Sequence, residues 1–409
     1  MILNKKKNIF KRMIENVKKY FTKNKKKFSL KEAIVFMIVT FSFGIVVGGL
    51  IMYKNSAFGS DASLYEFAAT YNEIVNSYYE DVDRDKLLQS GISAMMRYLG
   101  DPYSTLMTKE TAETFTESVE GKYYGIGSEV KYDEKLEHVY IGQVFEGSPA
   151  EKAGLVEGDE LIKVEGKSIK GLSLSKIAGL VKGKEGTFVN ITILRDKEEK
   201  EFKIERGPID SISVKGKVIE KEDKKIGYLA ISIFANNTYE QLKKELESLE
   251  KENIDSLIID VRGNSGGYLT SVTDIISLFT KKGDIIYKLK TKDKLEVIKD
   301  DTKECRDYPI VMLVDQFSAS ASEVLTGALK EAYGATVVGI KTFGKGKVQK
   351  VSTLSNGAMI KYTYQEWLTP DGNYIDGQGI EPDEKVEYKS DAKVEDSQLE
   401  KAIEVIMNK

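Results

Sequence analysis

The stretch YPIVMLVDQFSASASEVLTGALKEAYGATVVGIK, Tyr308 to Lys341, carries the pattern that decides the fold of the largest part of the chain. It opens on a continuously apolar run, as expected of a strand covered on both faces. Three alternating serines, Ser318, Ser320 and Ser322, then lead into a helical pattern of Val324, Leu325, Ala328, Leu329 and Ala332. A second apolar strand, ATVVGIK, follows. Strand, helix and strand in this order, with the polar turn at the C-terminal end of the first strand, describe an α/β layer whose loops carry the chemistry. Within the turn, Ser320 and Glu323 read S-x-x-E, a capping box. Ser320 therefore begins a helix, attacks a carbonyl, or does both.

The same alternation extends upstream. KIGYLAISIF (225–234) reads as a strand, and TYEQLKKELESLEKE (238–252) places Tyr239, Leu242, Leu246 and Leu249 on one helical face. SLIID (256–260) is a buried strand, and RGNSGG (262–267) turns into a helix carrying Val272, Ile275, Ile276 and Phe279. Between 121 and 208 the pattern changes to short strands and glycine turns. There GSPAEKAGLVEGDELIKVEG resembles the helix-turn-strand segment of a PDZ domain. YYGIG, with Tyr124, Gly125, Ile126 and Gly127, occupies the place of that family's carboxylate-binding loop. Gly125 and Gly127 let the backbone turn its N–H groups toward an anion, and a strand edge beside the loop can accept an extended peptide. Residues 61–119 read as helices, with Leu64, Phe67, Ala68, Tyr71, Ile74 and Val75 in one and Leu87, Leu88, Ile92, Met95, Met96 and Leu99 in the next, broken by GDP at 100–102. They suit packing or dimerisation.

Composition sets the compartment. The 409 residues, 41% hydrophobic and 31% charged, are those of a chain that folds mostly in water. Residues 1–31 hold twelve Lys or Arg against the single Glu15. AIVFMIVTFSFGIVVGGLIMY (33–53) follows without a charge; as a helix it spans about 31 Å, the thickness of a hydrocarbon core. The expectation is one transmembrane helix, a cytoplasmic N-terminal arm and an extracytoplasmic remainder. A nucleic-acid role is not needed to explain the arm. One cysteine, Cys305, excludes an internal disulfide, and one histidine, His138, excludes a two-histidine zinc motif. His138 also lies in a different module from the serines, so any hydrolytic base is expected to be another residue.

Without histidine, a lysine activates a serine if burial lowers its pKa toward neutrality. KTFGKGKVQK offers Lys341, Lys345, Lys347 and Lys350. Lys345 lies between Gly344 and Gly346, where missing side chains permit close backbone approach, and Gln349 stands four residues on.

DVRGNSGG, FSASASEV, KTFGKGKVQ, LTPDG and GQGIEPD, in this order after a PDZ-like module, resemble the carboxyl-terminal processing (tail-specific) serine peptidases. The resemblance covers nearly everything from about residue 62 onward. It implies a Ser–Lys dyad assisted by a glutamine: Ser320 as nucleophile, Lys345, 25 positions later, as base, and Gln349 as its orienter. It assigns the oxyanion hole to the amides of Gly266 and Ala321, and turn and helix-start roles to Ser318 and Ser322. No metal or other cofactor is required. RGNSGG carries Ser265 where many members have proline.

The expected fold is multidomain α/β. A basic arm (1–32) precedes a transmembrane helix (33–53), a helical or dimerisation region (54–120) and a PDZ β-domain (121–208). A Ser–Lys peptidase core of the crotonase/Clp-like superhelical type (209–390) and a C-terminal helix (391–409) complete it. The expected activity is a membrane-anchored endopeptidase acting on proteins or peptides with exposed C-terminal tails, with a homodimer possible. An inactive, membrane-tethered PDZ scaffold is the alternative, and an acyl-thioester enzyme on a related core is a third class.

Overall fold

The computed structural model describes Glu15 and residues 30–55, 62–133, 137–303, 305–389 and 396–409. Most of the basic arm and part of 391–409 lie outside the described residues. The chain divides into two compact units, Met1–Leu88 and Gln89–Lys409, so the expected 54–120 region is divided within its second helix.

In the first unit the apolar run lies in the helix Leu30–Asn55. Its large apolar side chains between Ile34 and Val46, where described, are 44–72% exposed. The side chains at 30–33, 36 and 49–55 lie outside the described residues, and among the described residues no helix is long and apolar enough to cross a membrane. Ala62–Ser77 forms the next helix. Its period is the expected one, yet Leu64, Phe67 and Ile74 remain exposed.

The second unit begins within the helix Arg84–Tyr98, which has no buried residue. Its β-domain is a sheet ordered Ser128–Asp133, His138–Val144, Glu160–Val164, Phe188–Arg195 and Glu198–Glu205, with Lys167–Ser168 beside the third strand. Ile141, Leu161, Ile177, Val189, Ile191 and Ile193 fill its core. A two-stranded ribbon, Lys122–Gly125 with Gly207–Asp210, closes the module's ends together. Asp159, buried, takes both forks of Arg195 at 2.6 Å, a bidentate pair that pins the turn before Glu160.

The α/β layer is a six-stranded sheet ordered Val214–Lys221, Lys224–Ile231, Ser256–Asp260, Ile310–Val314, Thr336–Gly339 and Glu384–Lys385. The first pair is antiparallel and the rest are parallel. Successive side chains in a strand face opposite ways, so two cores form. Leu257, Ile259, Met312 and Val314 join Leu242, Leu246, Val272, Ile275 and Leu325 of the helices Thr238–Lys251, Leu269–Ile276 and Ala321–Ala328. Ile258, Val311, Leu313 and Val338 meet Ala402 and Ile406 of the helix Ser397–Met407. The C-terminal helix thus buries its apolar stripe in its own chain.

A second sheet joins Thr105–Met107, Met359–Leu368, Ile285–Lys290 and Leu295–Lys299, with Lys347–Thr353 also paired to Met359–Leu368. This sheet carries the lysine segment to the serine turn.

Candidate active site

Ser320 stands between the end of Ile310–Val314 and the start of Ala321–Ala328 with φ 56° and ψ −113°. A β-carbon makes this conformation costly, about 1–3 kcal/mol, and the surrounding bonds hold it there. Asp315 accepts the N–H groups of Phe317 (3.0 Å), Ser318 (2.9 Å) and Gly263 (3.0 Å). Ser318 Oγ, fully buried, donates to the Val261 carbonyl at 2.8 Å, and Ser322 Oγ donates to the Asn264 carbonyl at 2.7 Å. These two serines are stitching, as expected, and the third is presented on a strained turn. Ser320 N–H donates to Glu323 Oε2 at 2.9 Å, the glutamate's part of the capping box, and Glu323 N–H goes to the Ser320 carbonyl at 2.8 Å. The serine hydroxyl makes no cap hydrogen bond.

Glu323 does more than cap. It is wholly buried, and its carboxylate accepts four donors: Thr342 Oγ1 (2.6 Å) and Gly344 N–H (2.7 Å) on Oε1, and Ser320 N–H (2.9 Å) and Lys345 N–H (2.8 Å) on Oε2. One oxygen thereby ties the backbone of the serine to that of the lysine. On its other side the lysine segment is fixed by Trp367, whose indole N–H donates to the Lys345 carbonyl at 2.9 Å and whose backbone N–H donates to the Gly346 carbonyl at 2.9 Å. The flanking glycines are required by close approach: a β-carbon at Gly344 would lie 2.9 Å from Gly379 N, and one at Gly346 would lie 2.6 Å from Asp376 N.

The four candidate lysines separate by environment. Lys341 pairs with Glu381 at 3.0 Å, and Lys347 pairs with Glu366 and Asp376, which raise its pKa. Lys350 is exposed. Lys345 has no ion pair among the described residues; its Nζ lies 5.0 Å from the centre of the Tyr103 ring. Burial pushes its amine below the usual lysine range, Lys361 pushes the same way, and Asp101 and Glu323 oppose them. Among the described residues no hydrogen bond joins Ser320 Oγ to Lys345 Nζ. Gln349 Nε2 instead donates weakly to Thr363 Oγ1 across the strand pair, at 3.4 Å.

Gly266 packs directly on the serine turn: a β-carbon there would lie 2.9 Å from both the Ala319 carbonyl oxygen and Ser320 Cβ, and its φ of 109° favours glycine. Of the two amides expected at an oxyanion, that of Ala321 donates to no described residue. The Gly266 N–H is engaged, donating to Asn264 Oδ1 at 2.9 Å. Asn264 is the residue that sequence reasoning missed here, and its place inside RGNSGG was the available signal. For Tyr103 no local signal exists.

In the β-domain, the Tyr124–Gly127 loop ends the ribbon. Ile126 is buried, Gly127 has φ 76°, and the Ile126 carbonyl accepts Ala150 N–H at 2.7 Å. Ser128–Asp133 follows at the edge of its sheet. His138 opens the neighbouring strand, edge-on to Tyr140 at 6.0 Å.

The site thus combines a strained serine at a helix start, a partly buried lysine whose backbone shares a carboxylate oxygen with it, and a preceding β-domain with an open strand edge. The chain belongs to peptidase family S41, whose description matches residues 225–386. A PDZ domain matches 140–195, and the activating protease CtpB N-terminal domain matches 51–111. A probable CtpA-like serine protease of Staphylococcus haemolyticus (strain JCSC1435) is 39% identical over 356 residues, covering 85% of this chain and 71% of its own. The protein of the same description from Staphylococcus aureus (strain N315) is 41% identical over 325 residues, 79% of this chain and 64% of its own length. The chain therefore spans somewhat under two thirds of that relative. Among solved structures, the photosystem II D1 C-terminal processing protease aligns with TM-score 0.48 and 24% identity, over 84% of this chain and 91% of its own.

Proposed function

We propose that the protein is a serine endopeptidase that cleaves peptide bonds through a Ser320–Lys345 dyad and an acyl-enzyme. The observation that carries this reading is Lys345. It lacks a carboxylate partner among the described residues, burial holds its amine below the usual range, and its backbone shares one carboxylate oxygen with Ser320. The neutral amine takes the Oγ proton as Oγ bonds to the scissile carbonyl carbon, and the carbonyl π pair moves to oxygen. The free Ala321 N–H receives that oxyanion, and Gly266 N–H joins it once substrate displaces Asn264 Oδ1. Collapse breaks the C–N bond, and the Lys345 ammonium protonates the departing amine. Water, giving a proton to Lys345, then attacks the ester carbonyl; as the C–O bond to Ser320 breaks, the Lys345 ammonium returns that proton to Oγ, and the free acid leaves. Gln349 orients the amine in this scheme, which requires its carboxamide to turn from Thr363.

The PDZ module binds a substrate's C-terminal tail along Ser128–Asp133, with the terminal carboxylate at Tyr124, Gly125, Ile126 and Gly127. The sheet-edge position of that strand supports this reading. The helix Leu30–Asn55 anchors the protein in a membrane, with the basic arm inside the cytoplasm and the catalytic unit outside it. The uncharged 33–53 run and its exposed apolar side chains support the anchor. The exposed apolar residues of Ala62–Ser77 and Arg84–Tyr98 support a homodimer.

The test is cleavage of an unfolded protein with an apolar C-terminal tail by the full chain in detergent. Wild type is expected to cut, with activity falling as pH drops through the lowered amine pKa, and Ser320→Ala and Lys345→Ala are expected to be inactive. Equal cutting by Lys345→Ala, or a flat profile down to about pH 5, would remove lysine as the base. No cutting by any form would favour the tethered PDZ scaffold.

A further inference from the structure

The turn Gly100–Asp101–Pro102–Tyr103–Ser104 belongs to neither the PDZ module nor the α/β layer, yet it reaches the lysine. Asp101 accepts Tyr103 N–H at 3.1 Å and Ser104 Oγ at 2.5 Å. Ser104 Oγ in turn accepts Thr363 N–H at 3.1 Å, and Thr105–Met107 runs antiparallel to Met359–Lys361. The turn is thus bolted to the strand whose Trp367 holds the Lys345 carbonyl. This attachment sets the Tyr103 ring over the Lys345 amine, 5.0 Å from centroid to Nζ. A cavity of about 730 Å³ opens beside it, lined by Asp101, Tyr103, Ser104, Phe343, Gly344 and Thr363 but not by Lys345. The Tyr103 hydroxyl makes no hydrogen bond among the described residues, so the ring face is the part in use.

We propose that Tyr103 is a positioning residue for the general base, its ring forming the water-excluding wall against which the Lys345 amine is seated. The proposal rests on the reading of Lys345 as the base. The charged groups facing the amine are Lys361 from the paired strand, Asp101 from the turn itself and Glu323 from the serine helix, with Lys347 and Asp376 facing Tyr103. A ring face attracts a cation. The whole setting, ring included, nevertheless holds the ammonium less well than water does, because the amine lies below its ordinary range and burial is the largest cause. Water in place of the ring therefore moves the amine back up and leaves less of it neutral.

The experiment follows kcat/KM against pH for the full chain in detergent, comparing wild type with Tyr103→Ala, Tyr103→Phe and Lys345→Ala. Tyr103→Ala is expected to move the acid limb upward by about one pH unit, an approximately tenfold loss below the limb that closes at alkaline pH. Tyr103→Phe is expected to keep the wild-type limb. An unmoved limb in Tyr103→Ala, or an equal movement in Tyr103→Phe, overturns the proposal. If circular dichroism finds Tyr103→Ala unfolded, Tyr103→Gln makes the same comparison, with the same two overturning results. Cleavage by Lys345→Ala would instead fell the dyad reading and this proposal with it. An inactive Lys345→Ala beside an unmoved Tyr103→Ala limb fells the proposal alone.

Discussion

Replacing Glu323 by glutamine removes one of two acceptor oxygens that between them receive four donors in a fully buried place. Whichever way the new amide turns, two donors face an NH₂ group. If Oε1 keeps its role, Ser320 N–H and Lys345 N–H lose their common partner; if Oε2 does, Thr342 and Gly344 lose theirs. A buried donor left unmet costs about 1–3 kcal/mol, so the pair costs about 2–6 kcal/mol. Against a typical stability of about 5–15 kcal/mol, all but the upper end of that cost leaves the variant folded, with Tm lowered by roughly 2–4 °C per kcal/mol. The effect on catalysis is larger in proportion, because a displacement of about 1 Å between nucleophile and base costs on the order of 100-fold. The charge change has its own signature. Glu323 raises the amine pKa of Lys345, and the base must be neutral to act. Removing that charge lowers the pKa further, so the residual activity persists to lower pH than in wild type, opposite to the shift expected of Tyr103→Ala. Thermal melts and pH profiles of kcat/KM on one preparation read all three effects. Wild-type kcat/KM and Tm in Glu323→Gln would refute the claim that this carboxylate aligns the dyad.

Three further outcomes are expected. Ser320→Gly and Ser320→Ala both abolish cleavage, but glycine relieves the φ of 56° and alanine does not, so the glycine variant melts higher, by about 1 kcal/mol or more in a denaturant titration; equal stabilities would deny the strain. Lys345 binds its proton less readily folded than unfolded, so stability rises with pH between its lowered folded pKa and the ordinary value of 10.5, and below that window the buried ammonium is a net cost. Lys345→Met therefore gives a dead enzyme with a higher Tm at pH 6, and a lower Tm would contradict burial of the cation. Ile406→Ala, at a position 1% exposed beneath the sheet, costs about 2–5 kcal/mol by calorimetry, whereas a neutral result would mean that the C-terminal helix is not part of this core.

Much of the fold was legible because its signals are local. The SLIID strand occupies the residues its apolar run marked, and the helix after the serines begins where the Ser–Glu pair placed it. The C-terminal helix was legible as a helix, but not its partner: a stripe of apolar residues says that something covers it, and only the alternation of Ile258, Val311 and Leu313 on the far face says what. The first unit is the converse, with helical periods correctly read and faces left exposed among the described residues.

The sequence by itself determined the serine turn, the glycines around Lys345 and the order of modules, because turns, caps and periodicity depend on neighbours a few residues apart. Tertiary structure alone decided how the site is wired. Glu323 reads as a helix cap, and its bonds to Gly344 and Lys345 exist only because the second sheet brings that segment back onto the serine turn. Tyr103 lies more than two hundred residues from Lys345 and meets it through pairing of Thr105–Met107 with Met359–Lys361. The Gly266 amide looks available in the sequence and is occupied by Asn264 in space. Hydrogen bonds and burial are properties of where chains meet, and no local pattern encodes the meeting of segments so far apart.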